Sequence, residues 1–233
     1  MEEIQFGLIW YVALLFSLTL HESGHAWAAL RGGDATAYWA GQVSLDPRPH
    51  IRREPFGTVL MPLLSFSMSG MMIGWASTPY DPRWAYVYPR RAGWMALAGP
   101  GTNLLLVVAS GFAIRLGIMA DVFEAPRVIL FTQVVVANSV TGIWAVIAVF
   151  LSILFTLNLL LFVFNLIPLP PLDGSAAVGA FVGENTARRF AAFVNRPSLS
   201  MLGIIAAWFL IGPLFGPVQR AAVNLLYPEF NYR

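Results

Sequence analysis

The sequence predicts an all-α polytopic membrane protein, and three observations support this fold class. Hydrophobic residues make up 58% of the 233 residues and charged residues only 11%, whereas ordinary soluble domains carry roughly 25% charged residues. The mean hydropathy is +0.67. Long apolar stretches alternate with short connectors that contain proline and arginine. The lipid bilayer is therefore the expected environment, and residues 1–233 are predicted to form a single membrane-embedded domain.

Five hydrophobic segments emerge when the chain is scanned with a window of about 19 residues. They cover residues 4–30, 58–77, 92–117, 128–167 and 199–215. The fourth segment is long enough for two helices, with a turn expected at NSVTG, residues 138–142. We therefore predict about six hydrophobic segments and five to six transmembrane helices. In an alternative version, segment 58–77 enters the membrane without crossing it fully.

Two connectors depart from the helical pattern. The stretch ATAYWAGQVSLDP, residues 35–47, is rich in β-forming residues and ends in a turn signal, so a short β-strand or hairpin is predicted after the first helix. Further along, Pro168, Pro170 and Pro171 cannot sit in an unbroken helix, which predicts an unwound break near 168–172. Irregular backbone is tolerated at membrane depth only where protein buries it or where it lines a wet cavity.

The sequence HESGH, residues 21–25, places His21, Glu22 and His25 near the end of the first apolar segment. Spacing of i and i+4 puts both imidazoles on one helix face, which suits two nitrogens binding zinc, with the glutamate placed to accept a proton from water. A charged side chain near the bilayer centre costs about 2.5 to 3.5 kcal/mol, so these residues need a compensating role. A less specific explanation is a polar helix end whose histidines are hydrogen-bonded within the bundle.

A third metal ligand is needed, and the chain contains no cysteine to supply it. Asp173 follows the predicted break and can complete a His-His-Asp site, although an aspartate there can also cap a helix that begins at a loop. His50 is the rival ligand. Its neighbours in DPRPHIRRE include three arginines, whose positive charge disfavours a cation site, so His50 is expected to pack within a loop.

The arginines bear on topology and on binding partners. They occur in pairs such as Arg52-Arg53, Arg90-Arg91 and Arg188-Arg189 between hydrophobic segments, which is typical of loop anchors and not of a nucleic-acid surface. The three ligands must meet at one depth, and five simple crossings would deliver Asp173 to the wrong side. Six crossings place more arginines on the metal side, which predicts a site facing the cytoplasm.

Three blocks together resemble the site-2 protease family of intramembrane zinc metalloproteases: HESGHA, AGPGTN at 98–103 and NLIPLPPLDG at 165–174. The chain is most similar to compact bacterial and archaeal members without PDZ or CBS domains. The resemblance implies one catalytic Zn²⁺ held by His21, His25 and Asp173, with Glu22 as the catalytic base. It also implies that Asn165 supports the substrate.

The resemblance further implies a membrane-spanning protein or peptide as substrate, cleaved in or near its transmembrane helix in a bacterial or archaeal cell membrane. Asn103 belongs to the second block, and its amide can either assist catalysis or join helices. Two alternatives from other classes are a metal-ion transporter and a non-catalytic metal-binding membrane protein, because His, Asp and Glu within a bundle also mark ion pathways.

Overall fold

The computed structural model describes residues 3–139, 141–194, 196–230 and 232. In chain order its α-helices are α1 (Glu3–Gly32), α2 (Thr36–Trp39), α3 (Arg48–Arg53), α4 (Met61–Ser69), α5 (Pro82–Val87), α6 (Pro89–Met119), α7 (Ile143–Asn165), α8 (Asp173–Ala177), α9 (Glu184–Val194) and α10 (Pro197–Leu226). A π-helical turn, Phe56–Leu60, leads into α4, and a 3-10 turn, Val178–Ala180, follows α8. Two short strands, β1 (Phe123–Glu124) and β2 (Val136–Ala137), form one antiparallel pair.

Within the described residues, four helices are long and apolar enough to cross a membrane: α1, α6, α7 and α10. The shortest, α7, has 23 residues, which at about 1.5 Å per residue exceeds a hydrocarbon core of roughly 30 Å. The prediction of a mostly helical polytopic membrane protein is confirmed. The predicted number of five to six transmembrane helices is wrong, because two apolar segments do not form spanning helices.

Segment 58–77 is the first of these two. Its helical part belongs to the apolar helix Phe56–Ser69, which has 14 residues, or about 21 Å, too short to cross. It ends at Gly70, whose φ of +70° suits glycine. Residues 72–81, which we call the strap, then continue without helix or strand. The Trp75 N–H donates to the Gly57 carbonyl at 3.1 Å, so the strap runs back along the helix that preceded it.

Residues 128–137 are the second. They form no helix: β2 pairs with β1, and the preceding residues Val134 and Val135 are buried at 0% and 2% exposure. Both backbone N–H groups donate to the hydroxyl of Ser152 on α7, at 2.9 and 3.1 Å. The segment is apolar because it is a loop that packs against α7. The Ser152 hydroxyl accepts the hydrogen bonds of its two buried N–H groups.

The predicted strand or hairpin after the first helix is also wrong. Residues 36–39 form the short helix α2. Asp34, 4% exposed, accepts hydrogen bonds from the Thr36 N–H at 2.9 Å and the Thr36 hydroxyl at 2.6 Å. This turn, in which the Asp34 side chain bonds the backbone two residues on, leads into α2, and this local structure outweighs the β-forming composition. The described part of the chain has its strand pair elsewhere, at β1 and β2.

The unwound break is where the prolines predicted it. Helix α7 ends at Asn165 and α8 begins at Asp173, with no regular helix between them. The residue before Asp173, Leu172, has extended backbone and a buried side chain. Asp173 is therefore presented at the first position of a new helix directly after the break.

The directions of α1 and α6 follow from two contacts. The Thr102 hydroxyl on α6 donates to the Leu20 carbonyl of α1 at 3.2 Å. Nearer the C-terminal end of α1, the Gly32 carbonyl accepts from the Arg91 guanidinium at 3.0 Å. Later residues of α1 thus meet earlier residues of α6, so the two helices are antiparallel.

Helices α6 and α7 are antiparallel as well. The Asn103 amide donates to the Asn158 side chain at 2.8 Å, whereas Gly111, further along α6, faces Phe155, which is earlier in α7. Because α1 and α7 are each antiparallel to α6, they run in the same direction. The end of α7 therefore delivers Asp173 to the end of the bundle where α1 carries its histidines.

Helix α10 packs loosely on this three-helix core, since only 11% of its apolar window is buried. It contacts the rest of the protein near both ends, and between them Ala207, 0% exposed, packs with Ile167 and Leu172. At its start, Gly203 lies directly against the Pro170 carbonyl. At its finish, Val223 and Leu226 join the core formed by α6, α7 and the β1–β2 region, and the hydroxyl of the next residue, Tyr227, donates to the Val134 carbonyl at 2.8 Å.

Candidate metal centre

Three ligand atoms converge at the α7 and α8 break. The Nε2 atoms of His21 and His25 are 3.0 Å apart, and the Asp173 Oδ2 atom lies 3.1 Å from the first and 3.3 Å from the second. The histidines are 6% exposed. His50, the rival ligand, is not part of this cluster. A metal site built from two distant stretches of chain is therefore assembled by the parallel arrangement of α1 and α7.

The residues fit a zinc ion. Tetrahedral coordination with Zn–N distances of about 2.0 Å requires ligand atoms roughly 3.3 Å apart, close to the three separations in this cluster. The buried Asp173 Oδ2 atom has no hydrogen-bond partner among the described residues, although a buried carboxylate oxygen normally has one. A divalent cation would supply the missing partner.

The second imidazole nitrogens are held by acceptors. His25 Nδ1 lies 2.8 Å from the Met95 carbonyl, and His21 Nδ1 lies 2.6 Å from the Asn103 side-chain oxygen. A carbonyl only accepts, so His25 carries a proton on Nδ1, and in the neutral form that binds a metal the Nε2 lone pair faces the cluster. Hydrogen bonds of this kind orient metal-ligating imidazoles and set their tautomers.

Gly99 forms one wall of the site. A Cβ atom built on it would lie 2.7 Å from His21 Nε2 and would also collide with His25 Nε2. A side chain at this position would occupy the space between the two ligand nitrogens. The glycine of the AGPGTN block therefore keeps the metal position open.

Glu22 is buried, at 5% exposure, and its Oε2 atom accepts a hydrogen bond of 2.7 Å from the Thr78 hydroxyl of the strap. The strap is fastened one residue earlier, where the Ser77 hydroxyl donates to Glu54 Oε1 at 2.6 Å and accepts from Arg53 at 3.0 Å. Because segment 58–77 does not cross, the chain returns to Glu22, the glutamate that follows His21.

Two further predicted residues make no hydrogen bond to the ligand side chains among the described residues. Asn165 is the last residue of α7, partly buried, and its side chain has no hydrogen bond among the described residues. His50 lies in the short helix α3 and not in a loop as expected; it is 1% exposed, with Nε2 near the Ser44 carbonyl at 3.4 Å and the Ser23 hydroxyl at 3.5 Å. Burial lowers the pKa of His50 from its ordinary value.

Sequence reasoning missed two residues of this region, Thr78 and Asn158. Thr78 directly follows segment 58–77, for which the sequence predicts a full or partial entry into the membrane. Asn158 is one amide inside the very apolar helix α7, where the Asn103 amide donates to it. The available signal was its isolation, because a polar residue in such a segment tends to face the bundle interior and to serve a function.

An apolar cavity of about 310 Å³ lies between α7 and α10, beside the break. Its lining residues are Phe162, Val163, Leu166, Ile167, Pro168, Leu214 and Val218. A second cavity of about 280 Å³ lies on the other side of Pro168, against α9 and the start of α10. The break is thus bordered by two apolar spaces in addition to its packing contacts with α10.

Comparison with known proteins places the chain in a family. The profile of "Peptidase family M50" matches residues 9–207. The chain is 36% identical over 164 residues to "Putative zinc metalloprotease YwhC" of Bacillus subtilis, which covers 70% of this chain and 64% of that protein. It is 32% identical over 204 residues to "Putative zinc metalloprotease Rip2" of Mycobacterium tuberculosis, covering 88% of this chain and 69% of the relative.

The chain thus spans slightly less than two thirds of the Bacillus protein and slightly more than two thirds of the mycobacterial one. The Rip2 protein of Mycolicibacterium smegmatis is 29% identical over 218 residues, covering 94% of this chain and 71% of that protein. No solved structure matches the chain. Because the family match runs from before His21 to beyond Asp173, the chain belongs to peptidase family M50, the site-2 protease family.

Proposed function

We propose that this protein is an intramembrane zinc metalloprotease that hydrolyses a peptide bond in or near a transmembrane helix of its substrate, acting as one membrane-embedded domain. The convergence of His21, His25 and Asp173, with Glu22 in the same helix turn, carries the proposal. Two neutral nitrogens and one carboxylate oxygen are a ligand set that catalytic zinc sites use, with a further position left for water or substrate.

When bound, zinc supplies a Lewis acid that activates water as a nucleophile and polarises the scissile carbonyl. Glu22 accepts the proton of the attacking water and passes it to the leaving amine. The Thr78 hydroxyl, 2.7 Å from Glu22 Oε2, holds this carboxylate in place. The break after α7 supplies the irregular, partly wet surroundings that a hydrolytic reaction needs at membrane depth.

The two asparagines take different roles in this proposal. Asn103 is already engaged by His21 and Asn158 and is 0% exposed, which favours ligand positioning over direct contact with the substrate. Asn165 is partly exposed beside the break. Its free amide is the better candidate to donate a hydrogen bond to the developing oxyanion or to the substrate backbone.

The substrate class follows from the surroundings of the site. A membrane-spanning protein or peptide reaches the ligands laterally through the apolar space between α7 and α10, since only 11% of the apolar window of α10 is buried. A helix hides its peptide bonds, so the substrate must be locally extended. The strap, which is already irregular and lies at Glu22, offers the backbone beside which an extended substrate would lie.

The metal end of the bundle faces the cytoplasm in this proposal. Ten of the fourteen arginines lie in or beside the loops at that end, in α1, the 33–91 region and the 166–196 region. Arg115, Arg127 and Arg220 lie toward the opposite end. The positive-inside rule then orients the protein in a bacterial or archaeal cell membrane with its N-terminus outside.

Cleavage by the purified protein tests the proposal. The protein is reconstituted in liposomes with a helical membrane-spanning peptide, and the products are identified by mass spectrometry. Cleavage is expected with zinc, abolished by chelation, restored by added zinc, and absent in Glu22→Gln, which retains the metal. Zinc flux into the liposomes without cleavage would instead support a transporter, and bound zinc with neither activity would support a non-catalytic metal protein.

A further inference from the structure

Three helices are joined at the metal centre by a chain of buried side-chain hydrogen bonds. Asn103 on α6 lies 2.6 Å from His21 Nδ1, and its amide nitrogen lies 2.8 Å from Asn158 Oδ1 on α7. The Asn158 amide nitrogen lies 2.8 Å from both the Ser17 hydroxyl on α1 and the Leu154 carbonyl of α7 itself. Asn103, Asn158 and Ser17 are all 0% exposed.

The donor and acceptor in each of these hydrogen bonds can be assigned by starting at the Leu154 carbonyl. The Leu154 carbonyl can only accept, so the Asn158 atom that faces it must be the amide nitrogen. The Ser17 hydroxyl gives its one proton to the Ala13 carbonyl, at 2.7 Å, and therefore accepts from Asn158 as well. The Asn158 oxygen must then point to Asn103.

The same logic continues to the ligand. The Asn158 oxygen needs a donor, so Asn103 must turn its amide nitrogen toward Asn158 and its oxygen toward His21. The Asn103 oxygen can only accept a hydrogen bond, so the neutral His21 imidazole must carry its proton on Nδ1. The Nε2 atom then keeps its lone pair and faces His25 and Asp173. One carbonyl group on α7 thereby determines the tautomer of a metal ligand on α1.

His21 and His25 differ in this respect. The His25 proton is held by the Met95 backbone carbonyl, which cannot present a donor in place of an acceptor. The His21 proton is held by an amide, and an amide rotated by 180° would present N–H to Nδ1 and favour a proton on Nε2, the atom required for the metal. His21 therefore depends on a further residue to keep the amide in its productive orientation.

We infer that Asn158 is a positioning residue for zinc binding, which fixes the Asn103 amide and through it the Nδ1–H tautomer of His21. The effect of Asn158 on cleavage rests on the proposed function, whereas its effect on the His21 tautomer does not. Asn158 also bonds α7 to α1 at Ser17, one helical turn before His21. It thus ties the helix that leads into Asp173 to the helix that carries the other two ligands.

The test replaces Asn158 with leucine, which has a similar volume and no hydrogen-bonding group. Thr156→Val is the matched control, because Thr156 is also on α7 and 0% exposed, and its hydroxyl has no hydrogen-bond partner among the described residues. Zinc affinity of both variants is measured by competition with a chelator. Asn158→Leu is expected to lower affinity about 10- to 100-fold, the usual effect of losing an outer partner of a ligand, and Thr156→Val to leave it unchanged.

The second measurement needs no metal. Nitrogen-15 NMR of the zinc-free protein in mildly alkaline buffer reports the histidine tautomers, and the chain has only three histidines to assign. His21 is expected as the Nδ1–H form in the unmodified protein and in Thr156→Val, and as a mixture with the Nε2–H form in Asn158→Leu. A purely structural bond between helices would lower thermal stability without moving this spectrum.

Ser17→Ala is the milder second variant in case Asn158→Leu does not fold, because it removes one of the two acceptors of the Asn158 amide. A smaller loss of zinc affinity is expected. Unchanged zinc affinity together with an unchanged His21 tautomer in these variants would overturn the inference. If the unmodified protein fails to cleave while the tautomer still responds to Asn158, the proposed function fails and the positioning role stands.

Discussion

Thr78 donates a hydrogen bond of 2.7 Å to the Oε2 atom of Glu22, although the two residues are 56 positions apart in the chain. The contact exists because segment 58–77 turns back at Gly70 instead of crossing, so that the strap passes over the HESGH turn of α1. The residue proposed as general base is therefore oriented by a segment whose composition indicated a membrane span.

Replacing Thr78 with valine removes this hydrogen bond and keeps the side-chain shape. Hydrogen bonds to charged groups contribute about 1.5 to 3 kcal/mol, so we expect the rate of peptide cleavage to fall roughly tenfold or more, with zinc content unchanged. Thr78→Ser retains the donor and should keep most of the rate. A faster valine variant would show that Thr78 restrains Glu22 instead of orienting it.

Gly99 provides a test of the space between the ligands. In Gly99→Ala the added methyl group would lie 2.7 Å from His21 Nε2 and collide with His25 Nε2, so we expect purified protein to lose its zinc. The control is Gly101→Ala in the same block, where an added Cβ meets no atom within 4 Å. Metal content is measured by elemental analysis, and a Gly99→Ala protein that bound zinc normally would place the metal elsewhere.

The third ligand can be distinguished from its rival in the same way. Asp173→Ala removes the oxygen that lies 3.1 Å from His21 Nε2, and we expect zinc to be lost at concentrations that saturate the unmodified protein. His50→Ala should retain zinc, because His50 packs against Ser23 and Ser44 outside the cluster. The opposite pattern of metal contents would assign the ligand to His50.

These residues show how far sequence reasoning reaches. The HESGH spacing acts within one helix turn, and the prolines before Asp173 break a helix whatever surrounds them, so both features could be predicted locally. The number of crossings could not. Hydropathy measures transfer into an apolar phase. An apolar composition is shared by a spanning helix, by the short helix 56–69 and by a loop such as 128–137 that packs against α7.

Tertiary contacts explain the other differences. The β-forming composition of 36–45 was outweighed by one buried carboxylate, Asp34, which accepts from Thr36 and from the backbone N–H of Asp81 at 2.8 Å. The role of Asn158 could not be predicted because it depends on three helices meeting at one depth. Hydrogen bonds that join three helices leave no characteristic spacing in the sequence. The sequence shows only a single amide within an apolar stretch of α7.

We expect the free energy of unfolding to depend on pH through the protonation of His50. Burial lowers its pKa in the folded protein, whereas an unfolded histidine titrates near pH 6.5, at roughly the free value. As the pH falls through that value, the unfolded chain binds a proton before the folded one, so the unfolded state is favoured. The contribution of His50 to stability is thus complete above about pH 6.5 and is lost as the pH decreases toward the folded-state pKa.

Thermal unfolding of the zinc-free protein in detergent, followed by circular dichroism between about pH 8 and pH 5, measures this effect. The variant His50→Gln is uncharged at every pH in that range, and His21 and His25 are unchanged in it, so the difference between the two profiles isolates His50. We expect the unmodified protein to lose more stability on acidification than the variant does. Parallel profiles, or a steeper loss in His50→Gln, would show that His50 is not held neutral by its buried position against Ser23 and Ser44.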